Sequence, residues 1–283
     1  MQKIRYTTSL GTIEIDDENT SSLTGEKILR LNDFDGNSGK TRLETMQCIG
    51  LPGQKVLSSV LDVKTVTAKI AFAPIYLRKN RPTCTGAKGM YALRREILKR
   101  FPLGEDGTLE YTNDSGVYTI SARIDQTPIV TVHDGWLCDC TVMFTCDYPY
   151  WCRAVTSEKQ TVSAGGSALF VPPSYGDVAS PIGGILTCTE TLSDPRDGIY
   201  YQIRNTDSTL RRVHFCRPIS SGRSYQFNFL YNNEWVVPGD VYFAEYCEPC
   251  VSVPVRSSFR FDLLSAAGSL DVQLIYYNLY LAV

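Results

Sequence analysis

The stretch from Lys64 to Cys152 constrains the fold most, because the spacing of its apolar residues changes along it. Its first segment alternates between apolar and polar residues, which predicts a half-buried strand. The next has apolar residues at three- and four-residue spacing, which predicts an amphipathic helix over Gly89–Phe101, ended by Pro102. The apolar positions of the strand are Val66, Ala68, Ile70 and Phe72, and those of the helix are Met90, Leu93, Ile97 and Phe101.

The strand period returns after Pro102. Leu109–Thr112 and Val117–Ile124 flank Asn113–Gly116, a turn sequence that predicts a hairpin. A long strand follows, in which every second residue is apolar. Its apolar face consists of Trp136, Cys138, Cys140, Val142, Phe144 and Cys146. No catalytic set of side chains is visible in this module, so its pattern is that of a structural element.

Composition places the chain among packed, strand-rich proteins. Its 283 residues suffice for one large domain or two ordinary ones, and its 17 tyrosines favour strands. A net charge of −2 gives no electrostatic reason to expect nucleic-acid binding. No run approaches the roughly 20 apolar residues of a membrane span. The N-terminal residues lack the apolar run of a Sec signal peptide, which predicts a chain made in a reducing cytoplasm.

The segment from residue 33 to 56 differs from its neighbours. It is rich in Asp, Gly, Ser and charged residues, and it is too long for a simple hairpin loop. Its scattered apolar residues cannot bury themselves locally, so we expect it to be an arm that packs on a neighbouring subunit. The candidate interface residues are Leu43, Met46, Ile49 and Leu51.

A change of pattern near residue 155 predicts two domains, 1–154 and 155–283. Tyr148–Trp151 and the polar run Thr156–Gln160 mark the boundary. Beyond it the chain reads as nine short strands separated by turns such as Pro238-Gly239, which predicts a sandwich or barrel. One of these strands is expected over Val241–Tyr246.

The ten cysteines have several interpretations. Cys138, Cys140 and Cys146 share a strand face with apolar residues, which favours buried structural thiols. Cys247 and Cys250 imitate a redox dithiol, although a strand-like sequence with Pro254 follows where a helix is required. Zinc bound by two Cys pairs and a disulfide formed after release are alternatives. We expect no metal and no cofactor.

Two other patterns resemble sites. Gly36–Thr41 imitates a phosphate-binding loop, but Phe34 stands where that motif needs its first glycine. The two histidines, His133 and His214, lie in a probable turn and a strand, so neither is expected to activate a nucleophile.

An aromatic series could form a sugar-binding platform, although core packing explains most of its members. The series consists of Tyr225, Phe227, Phe229, Tyr231, Trp235, Tyr276, Tyr277 and Tyr280.

The order of these elements resembles the distal tail protein of long-tailed, non-contractile bacteriophages. The resemblance covers most of the chain, and the ten cysteines depart from the family pattern. The segments that carry it are the strand Thr65–Ala73, Tyr91-Ala-Leu-Arg-Arg-Glu96, the hairpin Gly107–Ala122, Trp136, Phe144-x3-Tyr148-Pro149-x-Trp151, Tyr175-Gly176-Asp177 with Ser180-Pro181, and Gly268–Tyr277.

The resemblance implies a mainly β protein: an N-terminal β-sandwich with one packed helix and a belt arm, followed by a galectin-like β-sandwich. It implies a homo-hexameric ring at the tail tip of the virion. Its partners would be the tail tube protein, a tail-tip protein and, in some phages, a receptor-binding protein. We expect no catalytic residues. A carbohydrate-binding module at a cell surface and a hydrolase remain the alternatives.

Overall fold

The computed structural model describes the chain except for fourteen stretches. These are residues 1, 19–27, 38–40, 48–53, 74, 79–80, 85, 134–136, 194–198, 205–208, 216–218, 229–234, 237–251 and 254–257.

The chain divides into two compact units. The first comprises Met1–Trp151 together with Leu281–Val283, and the second comprises Cys152–Tyr280. This differs from the division at residues 154 and 155 in two ways: the boundary lies slightly earlier, and the last three residues belong to the first unit. Whether 1–154 and 155–283 fold as independent domains stays a prediction.

The first unit contains twelve described strands and one helix. Its strands are β1 (Lys3–Thr8), β2 (Gly11–Asp16), β3 (Ile28–Asp35), β4 (Thr41–Gln47), β5 (Gln54–Leu61), β6 (Lys64–Ala73), β7 (Ile75–Arg78), β8 (Arg81–Cys84), β9 (Asp106–Asn113), β10 (Gly116–Arg123), β11 (Ile129–His133) and β12 (Leu137–Cys146), and the helix is α1 (Gly86–Leu98). Antiparallel pairing gives the strand orders β2-β1-β9-β10 and β3-β6-β12-β11.

The core of the first unit forms where the alternating strands present their apolar faces. The predicted positions of β6 and β12 are fully buried, and so is the apolar face of α1. Tyr6 of β1 lies 5.1 Å from Phe144 of β12 between ring centroids, and Phe101 stacks on Tyr6 at 6.3 Å. The segment after α1 therefore joins strands from both groups in one aromatic cluster.

Local predictions met different outcomes in this unit. The hairpin is confirmed, because Asn113 pairs with Gly116 across the turn. The helix is confirmed but begins three residues earlier and ends at Leu98. From its Pro82, Gly86 and basic residues, Tyr76–Lys88 is predicted to be a loop leading into the helix; this is wrong, because β7 and β8 pair as a short hairpin. Pro82 is tolerated there because a two-stranded sheet consists of edges.

The second unit is built of strands alone in its described part. They are β13 (Trp151–Thr156), β14 (Gln160–Ser163), β15 (Ser167–Phe170), β16 (Ser180–Ser193), β17 (Ile199–Arg204), β18 (Thr209–Phe215), β19 (Ser224–Asn228), β20 (Trp235–Val236), β21 (Ser252–Val253), β22 (Phe259–Leu264) and β23 (Ala267–Tyr280). One sheet has the order β14-β23-β16-β19-β20, and the other has the order β15-β22-β17-β18.

The two sheets of the second unit share one core. Leu186, Leu192, Phe259, Phe261 and Leu270 are fully buried in it. The strand predicted over Val241–Tyr246 lies outside the described residues. The mainly β fold class, with sandwich architecture and one packed helix, is confirmed. In the described part of the chain, no helix has the length and apolarity needed to cross a membrane.

Candidate functional site: a hairpin arm and its anchored base

The excursion between β3 and β6 is a β-hairpin. Strands β4 and β5 pair antiparallel from Thr41 with Leu61 to Gln47 with Gln54, with one irregularity after Glu44. Within the described residues these strands form a two-stranded sheet of their own and join neither larger group. The predicted arm therefore overlaps the paired strands Thr41–Gln47 and Gln54–Leu61, and the first residues assigned to it, Asp33–Asp35, belong to β3. We call this hairpin the arm.

The structure describes the backbone of only two of the four predicted interface residues. Leu43 and Met46 lie in β4, at the register positions of Ser59 and Lys55. Their side chains lie outside what the structure describes, as do Ile49 and Leu51 altogether. Their role as interface residues stays a prediction.

The two ends of the arm meet one group of residues, which we call the arm base and in which Gly36, Lys64 and Trp151 are buried: Gly36, Asn37, Lys64, Trp151 and Leu281–Val283. On the side of β3, the Trp151 indole Nε1 donates to the Gly36 carbonyl at 2.9 Å. A side chain at Gly36 would meet Phe34, Trp151 and Val283 at 3.0–3.3 Å. Only a residue without a Cβ fits here unless these neighbours shift.

On the side of β6, the arm returns to a buried lysine. Lys64 is 1% exposed, and its Nζ donates to the Leu281 carbonyl at 2.7 Å. The same nitrogen lies 5.9 Å from the centre of the Trp151 ring, a distance at which a cation and an aromatic face attract. Burial lowers the pKa of the Lys64 ammonium, and the acidic groups of Cys146 and Asp35 oppose that shift.

The chain's last described residues complete the arm base. The Val283 amide donates to Asn37 Oδ1 at 3.2 Å, and Leu281 accepts from Lys64. Phe34 stacks on Tyr111 at 4.2 Å and meets Trp151 edge-on at 5.9 Å. Gly36 and Asn37 at one end of the arm and Lys64 at the other are thus bonded to Trp151 or to Leu281–Val283. These bonds anchor the residues that flank the hairpin.

Sequence reasoning missed the arm base, but one signal was available. The alternation of Val66, Ala68 and Ile70 extends back to Lys64, so the period places Lys64 on the buried face. Nothing in the sequence shows that Leu281–Val283 return to this lysine, because the contact spans 217 residues.

The cysteines of β12 are packed thiols. Cys138, Cys140 and Cys146 are fully buried and free. Burial raises the pKa of Cys140 to about 11 and that of Cys146 to about 12, so these thiols stay protonated and weakly nucleophilic at neutral pH. The part of the chain that the structure describes holds no group of three or more potential metal ligands. Cys247 and Cys250 lie outside it, so the absence of metal stays a prediction.

The structure gives no support to a phosphate-binding loop at Gly36–Thr41 and describes the side chain of one of the two histidines. In Gly36–Thr41, a strand begins at Thr41, where a phosphate-binding loop requires a helix; residues 38–40 lie outside the described part. His133 lies 2.9 Å from Asp139 Oδ2 on the exposed surface of β11 and β12. The side chain of His214 is outside the description.

The aromatic series does not form an exposed platform where it is described. Tyr276 is 2% exposed and packs against Phe259 at 5.9 Å, and Tyr277 is also buried. Burial raises the pKa of Tyr276. Phe229 and Tyr231 lie outside the described residues. The interpretation of these tyrosines as core residues is therefore favoured.

Comparison with known proteins finds similarity in structure alone. No protein-family model and no curated protein matches the chain. The crystal structure of the Dit protein of phage SPP1, described as a paradigm of the hub adsorption apparatus in phages that infect Gram-positive bacteria, aligns with a TM-score of 0.60 at 11% identity, covering 99% of each chain. This likeness shows a shared fold over both units.

Two structures of the phage p2 baseplate in its activated conformation, with strontium and with calcium, align less closely. Both have a TM-score of 0.46 at 10% identity, and the chain is covered over 97% and 96%. These scores lie below the range that establishes a common fold.

Proposed function

We propose that this chain is a structural hub protein of a phage tail tip. The observation that carries the proposal is the alignment with SPP1 Dit, a hub protein, over 99% of both chains. A fold alone does not assign a function. The arm, whose flanking residues Gly36 and Lys64 are buried, adds independent support, because among the described residues β4 and β5 pair with no larger sheet and are suited to contact another subunit.

The arm provides a mechanism for ring formation. If each subunit extends its arm onto the next one, the contact is head-to-tail, and such a contact gives a ring when the rotation closes. The arm base sets the direction of the hairpin, and a ring needs the same direction in every copy. Six subunits is the number that the resemblance to the distal tail proteins implies.

The two units would divide the work of the hub. The first unit carries the arm and would build the ring, and the second would carry outward contacts. The ring would join the tail tube protein to tail-tip proteins and to receptor-binding proteins. The protein would assemble in the host bacterial cytoplasm and reside in the virion, as a structural component without catalytic residues or cofactors.

Shortening the arm tests the ring. Because Thr41 and Leu61 are register partners, residues 42–60 can be replaced by Asn-Gly, which closes a two-residue turn and leaves the arm base unchanged. Light scattering should show a ring for the intact chain and monomers for the shortened one. Arg223→Ala, an exposed change in the second unit, is the control and should leave the ring intact. A shortened chain that still forms the ring would disprove the role of the arm.

The division of labour has its own test in the full chain. Hydrogen exchange of the intact ring should be slower than that of the shortened monomer in the first unit and unchanged in the second. Protection gained mainly in the second unit would mean that the roles are reversed. Native mass spectrometry of the ring counts its subunits.

A further inference from the structure

Strand β22 of the second unit carries a buried carboxylate on the face opposite the core. Phe259, Phe261 and Leu263 are fully buried in the core. Arg260 and Asp262 alternate with them and therefore belong to the other face of the sheet. Asp262 is nevertheless only 4% exposed.

Two arginines cover this carboxylate, one on each oxygen. Arg204 Nε lies 2.6 Å from Asp262 Oδ2, and Arg260 Nε lies 2.7 Å from Oδ1. The arginine side chains are themselves 39% and 56% exposed. The cluster carries a formal charge of +1, and its positive groups are on the outside.

Both guanidinium groups keep N–H donors that no described residue engages. Each group has five N–H donors in a planar fork, and Nε is engaged by Asp262. Among the residues that the structure describes, neither arginine side chain has a hydrogen-bond acceptor besides Asp262. Because both groups bond one carboxylate, Asp262 holds them side by side.

The strand beside Arg260 leaves this part of the face exposed to solvent. Leu169 pairs with Arg260 and is 60% exposed, so the edge beside Arg260 faces solvent. The whole chain has a net charge of −2, so the positive charge is local.

We infer that Arg204 and Arg260, held by Asp262, bind an oxoanion of the phosphate class. A carboxylate has two oxygens and fills one guanidinium fork, whereas a phosphate has enough oxygens to accept from two forks at once. This binding site goes beyond the hub role and does not depend on it, since it uses neither the arm nor a ring.

A purely structural cluster gives a different expectation for one substitution. If the arginines serve only to neutralise Asp262, Asp262→Asn destabilises the unit and has no effect on anions. If they form a binding site, the same change raises the cluster charge from +1 to +2 and strengthens anion binding.

Calorimetric titration of the full chain with tripolyphosphate at low salt tests the site, because screening by salt weakens such contacts. We expect saturable binding of one tripolyphosphate per chain. The affinity should fall about tenfold in Arg260→Gln and in Arg204→Gln and rise severalfold in Asp262→Asn. Arg260→Lys keeps the charge and loses the fork, so its affinity should be intermediate, which keeps the test decisive if Asp262→Asn does not fold.

Arg223→Gln is the matched control, because Arg223 is an exposed arginine of the same unit. It should bind tripolyphosphate like the unchanged chain. Absence of saturable binding, or an equal loss in Arg223→Gln, would overturn the proposal. Binding of hexaglutamate in preference to tripolyphosphate would also overturn it, and would indicate an acidic polypeptide as the partner of this face.

Discussion

The two units bury ionisable side chains in different ways. Lys64 of the first unit is 1% exposed, and its hydrogen bond goes to the main-chain carbonyl of Leu281. Asp262 of the second unit is 4% exposed and receives hydrogen bonds from two charged arginines. Lys64 therefore pays a desolvation cost to hold chain segments together, whereas Asp262 organises positive charge on a surface. Lys64 therefore has a role inside the first unit, whereas Asp262 acts on side chains at the surface of the second.

The largest expected effect on the free energy of unfolding comes from a buried thiol of the first unit, a third kind of buried ionisable group. Cys140 keeps its proton in the folded state up to a pKa of about 11, whereas an unfolded thiol loses it near pH 8.5. A raised folded pKa contributes stability below the unfolded pKa, and that stability is lost as pH rises through the folded one. Between pH 8.5 and 11, Cys140 alone should cost about 3 kcal/mol of unfolding free energy.

Urea unfolding with reductant, at pH 7.5 and at pH 10.5, measures this loss. Cys140→Ala should show a weaker pH dependence, and Thr141→Ala on the same strand should not differ from the unchanged chain. The lowered pKa of Lys64 acts in the opposite direction, because the free-energy cost of burying its charge disappears as the ammonium loses its proton with rising pH. Equal pH slopes for the chain and for Cys140→Ala would contradict the prediction.

Truncation of Lys64 should be the next largest change. Lys64→Ala removes a buried stem and the hydrogen bond to Leu281, and it should cost about 3 kcal/mol, as a buried large-to-small change does. Lys64→Met keeps the stem and removes the charge, so its cost should stay below about 1.5 kcal/mol.

Hydrogen exchange of residues 36–64 separates anchoring from stability in these two variants. Exchange should accelerate in both, because both lose the bond to Leu281. Unchanged exchange in Lys64→Met would show that Lys64 does not hold the arm base.

Asp262→Asn should have a smaller effect on stability. The amide keeps the shape and one acceptor but loses two charge-assisted hydrogen bonds, which predicts a loss of about 2 kcal/mol. Thermal unfolding at neutral pH measures it. A variant as stable as the original would mean that the two arginines contribute nothing to the folded state.

The smallest effect is expected at an ion pair that lies on the surface. Lys69 Nζ and Asp33 Oδ2 are 2.7 Å apart, but both side chains are more than half exposed. Solvent screens such a pair, so Asp33→Asn should not change stability measurably. If Asp33→Asn lost as much stability as Asp262→Asn, burial would not explain why the ion pairs of Asp262 are stronger than the Lys69–Asp33 pair.

Local periodicity predicted much of this fold from single segments. The alternation in β6 and β12, the spacing in α1 and the Asn113–Gly116 turn each depend on neighbours a few residues apart, and all four are present. Gly176 is different, because the reason for its missing Cβ is the main chain of the distant Leu279, which local periodicity does not reveal.

Sequence patterns gave the wrong structure, or an incomplete one, where strands pair despite a loop-like composition. Ile75–Arg78 and Arg81–Cys84 have the proline and basic residues of a loop, yet they pair with each other because each is the other's nearest available strand. The arm was predicted as an excursion from its composition, whereas the register of β4 with β5 became visible only in the structure.

The sequence by itself determined which faces are apolar, because side-chain direction follows the local backbone period. It determined the strand-rich class and the helix in the same way. Only the tertiary structure decided that Leu281 meets Lys64, that Trp151 meets Gly36, and that Asp262 lies between two arginines. These contacts join residues that are 217, 115 and, for Asp262 with Arg204, 58 positions apart, and they depend on how distant strands are paired rather than on any local preference.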